Sequence, residues 1–163
     1  MTDIGLYYNP WKKDYSEGPL DRRTPIELYR KAVWFKANPR SADYMKELFK
    51  NNYPEGLFVD TNDNPDWIDS LSGKNNIILL YPDSTGLYFS GFEKSVFRRI
   101  ATGCEPVALN GRKRTFSLNR KTLSELRLRR FIERFMIGEL VAVCGFMIIT
   151  PAFVITDFLR GRR

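Results

Sequence analysis

The apolar residues of this chain form short runs whose spacing predicts a mixture of strands and helices. Ile77–Tyr81 has no polar interruption, which is typical of a central strand covered on both faces, and Gly56–Asp60 predicts a second strand. The segment between them contains Asn64-Pro65, a helix-start signal, and is long enough for a right-handed crossover. We therefore predict an α/β fold that contains a βαβ unit.

Capping signals predict further helices. Thr24–Glu27 combines a capping box with proline at the first helical position, so we expect a helix from Pro25 to about Lys36. A second helix is expected between Ser41 and Pro54, and a third over about 91–100. A second capping box, at Thr122–Glu125, predicts a later helix that runs on without a break into the C-terminal apolar run.

A β-hairpin is predicted over residues 107–118. Asn110-Gly111 separates Val107–Leu109 from Thr115–Leu118, and an Asn-Gly pair between two such runs is a strong hairpin signal. The hairpin places three basic residues, Arg112, Lys113 and Arg114, at its turn.

The C-terminal run is the most apolar part of the sequence. Phe135–Thr156 contains one charged residue, Glu139, and a helix of this length spans roughly 30 Å, which is the thickness of a bilayer core. We predict one transmembrane helix over 135–159. A buried core helix is the alternative, and Pro151 leaves a re-entrant helix open.

Positive charge is concentrated directly before this run. Residues 1–109 carry a balance of −1 and residues 110–163 a balance of +8, within a total of +7. Such a block predicts contact with anionic lipid headgroups rather than with nucleic acid, because aromatic residues are not interleaved with the basic ones. The residues predicted to contact lipid headgroups or a phosphate are Arg112, Lys113, Arg114, Arg127, Arg130 and Arg134.

These patterns give a linear organisation. We expect an irregular aromatic arm over 1–23, an α/β domain over 24–118, a polybasic interfacial helix over 119–134, the transmembrane or re-entrant helix over 135–159, and a basic tail over 160–163. More Lys and Arg precede the apolar run than follow it, which favours a cytoplasmic domain, in a bacterial inner membrane.

The chain has no histidine and two cysteines, Cys104 and Cys144. Histidine is the commonest general base and metal ligand, so its absence excludes Ser-His-Asp, Cys-His and most transition-metal sites. We expect neither a metal nor a cofactor, and Mg²⁺ only if the protein proves to be an enzyme.

Polar residues follow both predicted strands and form the candidate ligand site. The site comprises Asp60, Thr61, Asp83, Ser84, Thr85 and Gly86. The carboxyl ends of neighbouring parallel strands meet at one crevice, so Asp60 and Asp83 should lie close together. The alternative is ordinary turn chemistry, since these residue types also make up strand-to-helix loops.

The function that these features favour is that of a membrane-tethered, non-catalytic accessory subunit. It would bind a larger membrane protein in an assembly such as one that makes envelope glycans or lipid-linked sugars. One alternative is a transferase acting on a phosphorylated or nucleotide-sugar substrate in the Asp60–Asp83 crevice. Another is a scaffold that recruits soluble partners through the aromatic arm.

Overall fold

The computed structural model describes residues 2–11, 24–64, 66–67, 71, 76–100 and 105–161, which form a five-stranded sheet with packed helices. The strands are β1 (Asp3–Tyr7), β2 (Leu57–Asp60), β3 (Asn76–Tyr81), β4 (Val107–Asn110) and β5 (Thr115–Ser117). The helices are α1 (Pro25–Ala37), α2 (Ala42–Asn52), α3 (Ser90–Phe97), α4 (Arg120–Arg134) and α5 (Ile137–Arg160). The predicted α/β class with one apolar C-terminal helix is confirmed.

The strand order corrects two predictions. The order is β2-β1-β3-β4-β5, with β1 parallel to both β2 and β3 and with Tyr7 opposite both Asp60 and Leu80. Residues 3–7, predicted as part of an irregular arm, therefore form a strand, and β2 and β3 are not neighbours. Asp3 and Gly5 are poor strand formers, so pairing on both sides, rather than local propensity, decides this segment.

The central strands are buried on both faces, as the uninterrupted apolar run predicted. One face packs against α3 and α4 through a cluster that includes Leu6, Leu79, Phe89, Val96 and Leu126. The other face packs against α2 through Met45, Leu48, Phe49, Ile78 and Leu80. The two clusters alternate along β3, as the period of two in a strand requires.

A third cluster lies beyond the carboxyl ends of β1 and β3. Trp11 follows β1, Leu87 follows β3, and both pack against Val33 of α1. The backbone N–H of Arg40, just after α1, donates to the carbonyl of Pro82 at 2.7 Å. Helix α1 is therefore attached to the carboxyl end of the sheet rather than to either face.

The local start and turn signals are largely confirmed. The backbone N–H of Thr24 donates to Glu27 at 3.1 Å, and Ser41 Oγ accepts from the N–H of Tyr44 at 3.3 Å. Strands β4 and β5 form the predicted antiparallel hairpin. The N-cap of α4 is Asn119 and not Thr122 of the predicted capping box, since the Asn119 side chain accepts the N–H of Thr122 at 2.9 Å.

The predicted continuous C-terminal helix is interrupted. Met136 has φ 51°, a left-handed conformation that ends α4 and separates it from α5. This conformation is unfavourable for a residue with a side chain, and packing of Met136 against the Trp11–Val33–Leu87 cluster compensates for it. The residue that precedes α5 is therefore held against the domain.

Several predicted features lie outside the described residues. They are most of the short helix expected after Asn64, residues 12–23 of the arm, Cys104, and the last two residues of the basic tail. Trp67, within that expected helix, is described, and it is buried in the cluster that joins the sheet to α3 and α4.

Gly5 provides a test of the packing between β1 and α2. A Cβ at Gly5 would lie 2.7 Å from the ring of Phe49, whereas a Cβ at Gly91 in α3 would meet nothing within 4 Å. We expect Gly5→Ala to lower the free energy of unfolding by about 1–3 kcal/mol through overpacking. Gly91→Ala, the matched control, should be neutral or stabilising. Urea unfolding in mild detergent measures both, and equal effects would contradict this packing.

Candidate functional site

The loop after β3 is organised around one buried carboxylate. Asp83 accepts the backbone N–H groups of Thr85 at 2.8 Å and Leu87 at 2.9 Å, and also that of Gly86. Burial raises the pKa of Asp83 to about 6, although the three N–H donors act in the opposite direction. Asp83 therefore shapes this loop from inside the protein, with 3% of its surface exposed.

A buried ion pair joins α4 to α3 and to this loop. Arg130 Nη1 donates to Glu93 Oε2 at 2.8 Å, Nη2 donates to the other carboxylate oxygen, and Nε donates to the Thr85 carbonyl at 2.8 Å. The Tyr81 hydroxyl donates to the same carboxylate. Burial, and then the charge of Glu93, raise the pKa of Tyr81 well above its usual range.

Gly86 allows the guanidinium to approach the loop. Its φ is 66°, and a Cβ there would lie 2.9 Å from the Tyr81 ring and 3.0 Å from Arg130 Nη2. A side chain would thus be strained in its backbone and would displace the ion pair. This glycine, predicted as a ligand contact, has a structural role in the loop.

A cavity of about 430 Å³ lies between this loop, the β4–β5 hairpin and α4. Its basic residues come from two elements, Arg112 and Arg114 from the hairpin and Arg129 from α4, and we call it the arginine cavity. Ser84 and Thr85 contribute hydroxyl groups, and Glu125 and Glu133 contribute carboxylates. Thr85 Oγ1 donates to Glu133 at 2.8 Å.

Asn110 fixes the hairpin that carries the two arginines. Its side-chain oxygen accepts the N–H groups of Arg112 at 3.1 Å and Arg114 at 3.0 Å, and its amide nitrogen donates to the Ser84 carbonyl at 2.9 Å. Lys113 completes the turn with φ 63°. The turn and the loop after β3 are thereby held together.

A second cavity, of about 560 Å³, lies at the carboxyl ends of β1 and β2. We call it the aromatic cavity, because Tyr7, Trp11 and Trp34 line it beside Asp60 and other polar residues. Such a combination suits a ligand with one apolar face and several hydrogen-bond donors. Burial, and then the charge of Asp60, raise the pKa of Tyr7 to about 12, so its hydroxyl stays protonated.

The structure divides the predicted Asp60–Asp83 crevice. Asp60 lines the aromatic cavity, whereas Ser84 and Thr85 line the arginine cavity, and Asp83 lines neither. The predicted proximity is wrong because β1 lies between β2 and β3. Thr61 is buried and donates its hydroxyl to the Tyr7 carbonyl at 2.8 Å, which joins β2 to β1.

The predicted basic contacts also separate into groups. Arg112, Lys113, Arg114, Arg127 and Arg134 are exposed, whereas Arg130 is 6% exposed and paired with Glu93, so its predicted contact with lipid is wrong. Within the described part of the chain, no three acidic or cysteine side chains converge as a metal site would require.

Several residues that line these cavities were not among the predicted site residues, including Trp11, Trp34 and Arg129. Arg129 had a recognisable signal, because Glu125, Arg129 and Glu133 recur every four residues and so share one face of α4. The two tryptophans had none, because nothing in the local sequence indicates that α1 lies beside the end of β1.

No family model, curated protein or solved structure matches this chain.

The Arg130–Glu93 pair supports a direct test. Arg130→Met would leave a buried carboxylate without its counter-ion, so we expect a loss of about 3–5 kcal/mol in the free energy of unfolding. The double variant Arg130→Met/Glu93→Leu should recover most of that loss. Arg127→Met, at an exposed arginine of the same helix, is the matched control and should change stability by under about 0.5 kcal/mol. Denaturant unfolding of the full chain in detergent measures all three. Equal effects of Arg130→Met and Arg127→Met would contradict the assignment.

Proposed function

We propose that this protein is a membrane-tethered, non-catalytic accessory subunit. Helix α5 enters the bilayer, and the α/β domain lies at the membrane surface. A larger membrane protein binds α5 and the domain together. The observation that carries this proposal is the surface of α5, a 24-residue apolar helix of which no residue is buried.

Water is a poor environment for this helix. Phe146, Met147 and Ile148 are each 73% exposed, and apolar side chains continue on every side. Transferring one such side chain out of water stabilises it by about 1.5–3 kcal/mol. The length and composition of α5 suit a membrane span, and lipid would cover the surface that the domain leaves open.

The attachment of α5 to the domain supports a fixed orientation at the membrane. Lys36 Nζ lies 2.6 Å from Glu139 Oε1, which joins the end of α1 to the first turn of α5. Met136 packs against the Trp11–Val33–Leu87 cluster. Both contacts lie beyond the carboxyl ends of the central strands, so this end of the sheet would face the membrane.

Helix α4 fits the proposed interfacial position. Leu128, Phe131 and Phe135 are 63%, 54% and 55% exposed, and their spacing of three and four residues places them along one side. Arg127 and Arg134 are exposed near them. Apolar side chains entering the headgroup boundary beside arginines at phosphate level are typical of an interfacial helix.

The finer parts of the proposal rest on charge and on two glycines. The basic excess before α5 supports a cytoplasmic domain, in a bacterial inner membrane. Gly138 and Gly145 lie seven residues apart, and a Cβ at either would meet nothing within 4 Å, so a partner helix has room to approach closely. An assembly that makes envelope glycans or lipid-linked sugars is the proposed setting.

Cys144 tests the position of α5. In a Cys104→Ser background, we expect Cys144 to resist a water-soluble maleimide in intact membranes and to react once detergent unfolds the protein. The matched control removes both native cysteines and adds Ser124→Cys on exposed α4, which should label readily in inside-out membranes. Fast labelling of Cys144 in intact membranes would contradict the insertion of α5 in the bilayer.

Extraction of the tagged full chain in mild detergent tests the role of accessory subunit. We expect one membrane protein to copurify at a fixed stoichiometry. Gly138→Leu/Gly145→Leu should reduce its recovery, whereas Val143→Leu, on another side of the helix, should not. A clean monomer from native membranes, or equal losses for both variants, would count against the proposal.

A further inference from the structure

The arginine cavity concentrates positive charge that the protein does not neutralise. Arg130 pairs with Glu93 and Lys36 pairs with Glu139, but Arg112, Arg114 and Arg129 make no ion pair with any residue that the structure describes. The three guanidinium groups outnumber the two carboxylates of the cavity, Glu125 and Glu133, and an anion bound among them would balance the remaining positive charge. The cavity is therefore better suited to a complex than to the free protein.

The chemistry of the three side chains favours phosphate over other anions. A guanidinium presents planar, paired donors that match the spacing of two phosphate oxygens. Arginines from two directions can each bind a different edge of a tetrahedral phosphate. Ser84 adds a hydroxyl group from a third direction, through the loop that Asp83 and Arg130 hold in place.

The two carboxylates in the cavity restrict the rest of the ligand. Glu125 and Glu133 flank Arg129 on one face of α4 and would repel a phosphate placed beside them, so the phosphate belongs nearer the hairpin, within reach of all three arginine side chains. Glu133 already accepts the Thr85 hydroxyl. Glu125 likewise disfavours a second anionic group on the ligand, which points to a phosphate ester whose organic part carries no negative charge.

The cavity lies near the proposed membrane surface. Arg129 lies in α4, the helix that the proposed function places at the lipid headgroups. Both a headgroup and a dissolved phosphate ester can therefore reach the cavity.

We propose that the arginine cavity is a binding site for the phosphate of a phosphate ester, held by Arg112, Arg114 and Arg129. The lipid form of this ligand rests on the proposed membrane function, and the soluble form does not. The site differs from general attraction to an acidic surface, because it requires particular arginines among many exposed basic residues.

The chain supplies matched controls for that distinction. Lys113 is exposed in the same hairpin as Arg112 and Arg114, and Arg127 is exposed on the same helix as Arg129, but neither lines the cavity. The cavity variants are Arg112→Ala/Arg114→Ala and Arg129→Ala. The control variants are Lys113→Ala and Arg127→Ala, which each remove one positive charge from the same hairpin or the same helix.

The test uses the full chain in phosphatidylcholine nanodiscs. Glycerol 3-phosphate, titrated calorimetrically, probes the soluble source. Nanodiscs doped with phosphatidic acid, compared with phosphatidylglycerol at matched charge, probe the lipid source through the lipid retained in native mass spectrometry. We expect each cavity variant to weaken binding about tenfold or more, and each control to change it less than about twofold.

Binding of glycerol 3-phosphate with this pattern of variants supports a soluble ligand, and selective retention of phosphatidic acid with the same pattern supports a lipid. Equal losses in cavity and control variants would overturn the site in favour of general electrostatics. Absence of binding by both probes would also overturn it. If Cys144 proves accessible, the membrane proposal fails. The glycerol 3-phosphate titration still tests whether the arginine cavity binds a phosphate ester.

Discussion

The buried pair of Arg130 and Glu93 links the α/β domain to α4, the helix that leads to α5. An ion pair removed from water costs desolvation free energy, which is offset only when the geometry is good and the remaining donors are satisfied. Both conditions hold here, since the guanidinium binds both carboxylate oxygens and its Nε donates to the Thr85 carbonyl. The pair fixes α4 against the sheet, and α4 in turn leads to α5.

The elements that this ion pair holds together meet at the carboxyl end of the sheet, where the other features of the candidate sites also lie. The loop from Asp83 to Leu87, the Asn110 turn and the cluster around Trp11 all lie there, and α5 begins beside that cluster. In doubly wound sheets, ligands bind outside the carboxyl ends of the strands, where the strand order changes direction. In this protein α1 packs at that position, and the aromatic cavity lies beside it.

Local patterns predicted the parts of the fold that local physics decides. The uninterrupted run in β3, the helix starts at Thr24 and Ser41 and the apolar C-terminal run were all recognisable. Strand β1 was missed because Gly5 and Asp3 disfavour a strand until neighbours pair on both sides. The sequence pattern could not distinguish Arg130 from the exposed arginines near it, because its partner, Glu93, lies 37 residues earlier. Ser84, Thr85, Arg112 and Arg114 were identified separately, but only the tertiary fold places them around one cavity.

The central claim is that α5 prefers lipid to water while the domain stays folded beside it. Cell-free synthesis of the intact chain, with and without liposomes, followed by flotation and alkaline carbonate washing, tests this most directly. The account predicts that the protein floats with the vesicles, resists carbonate, and aggregates when lipid is omitted. A monodisperse protein in plain buffer, left behind by the vesicles, would contradict it.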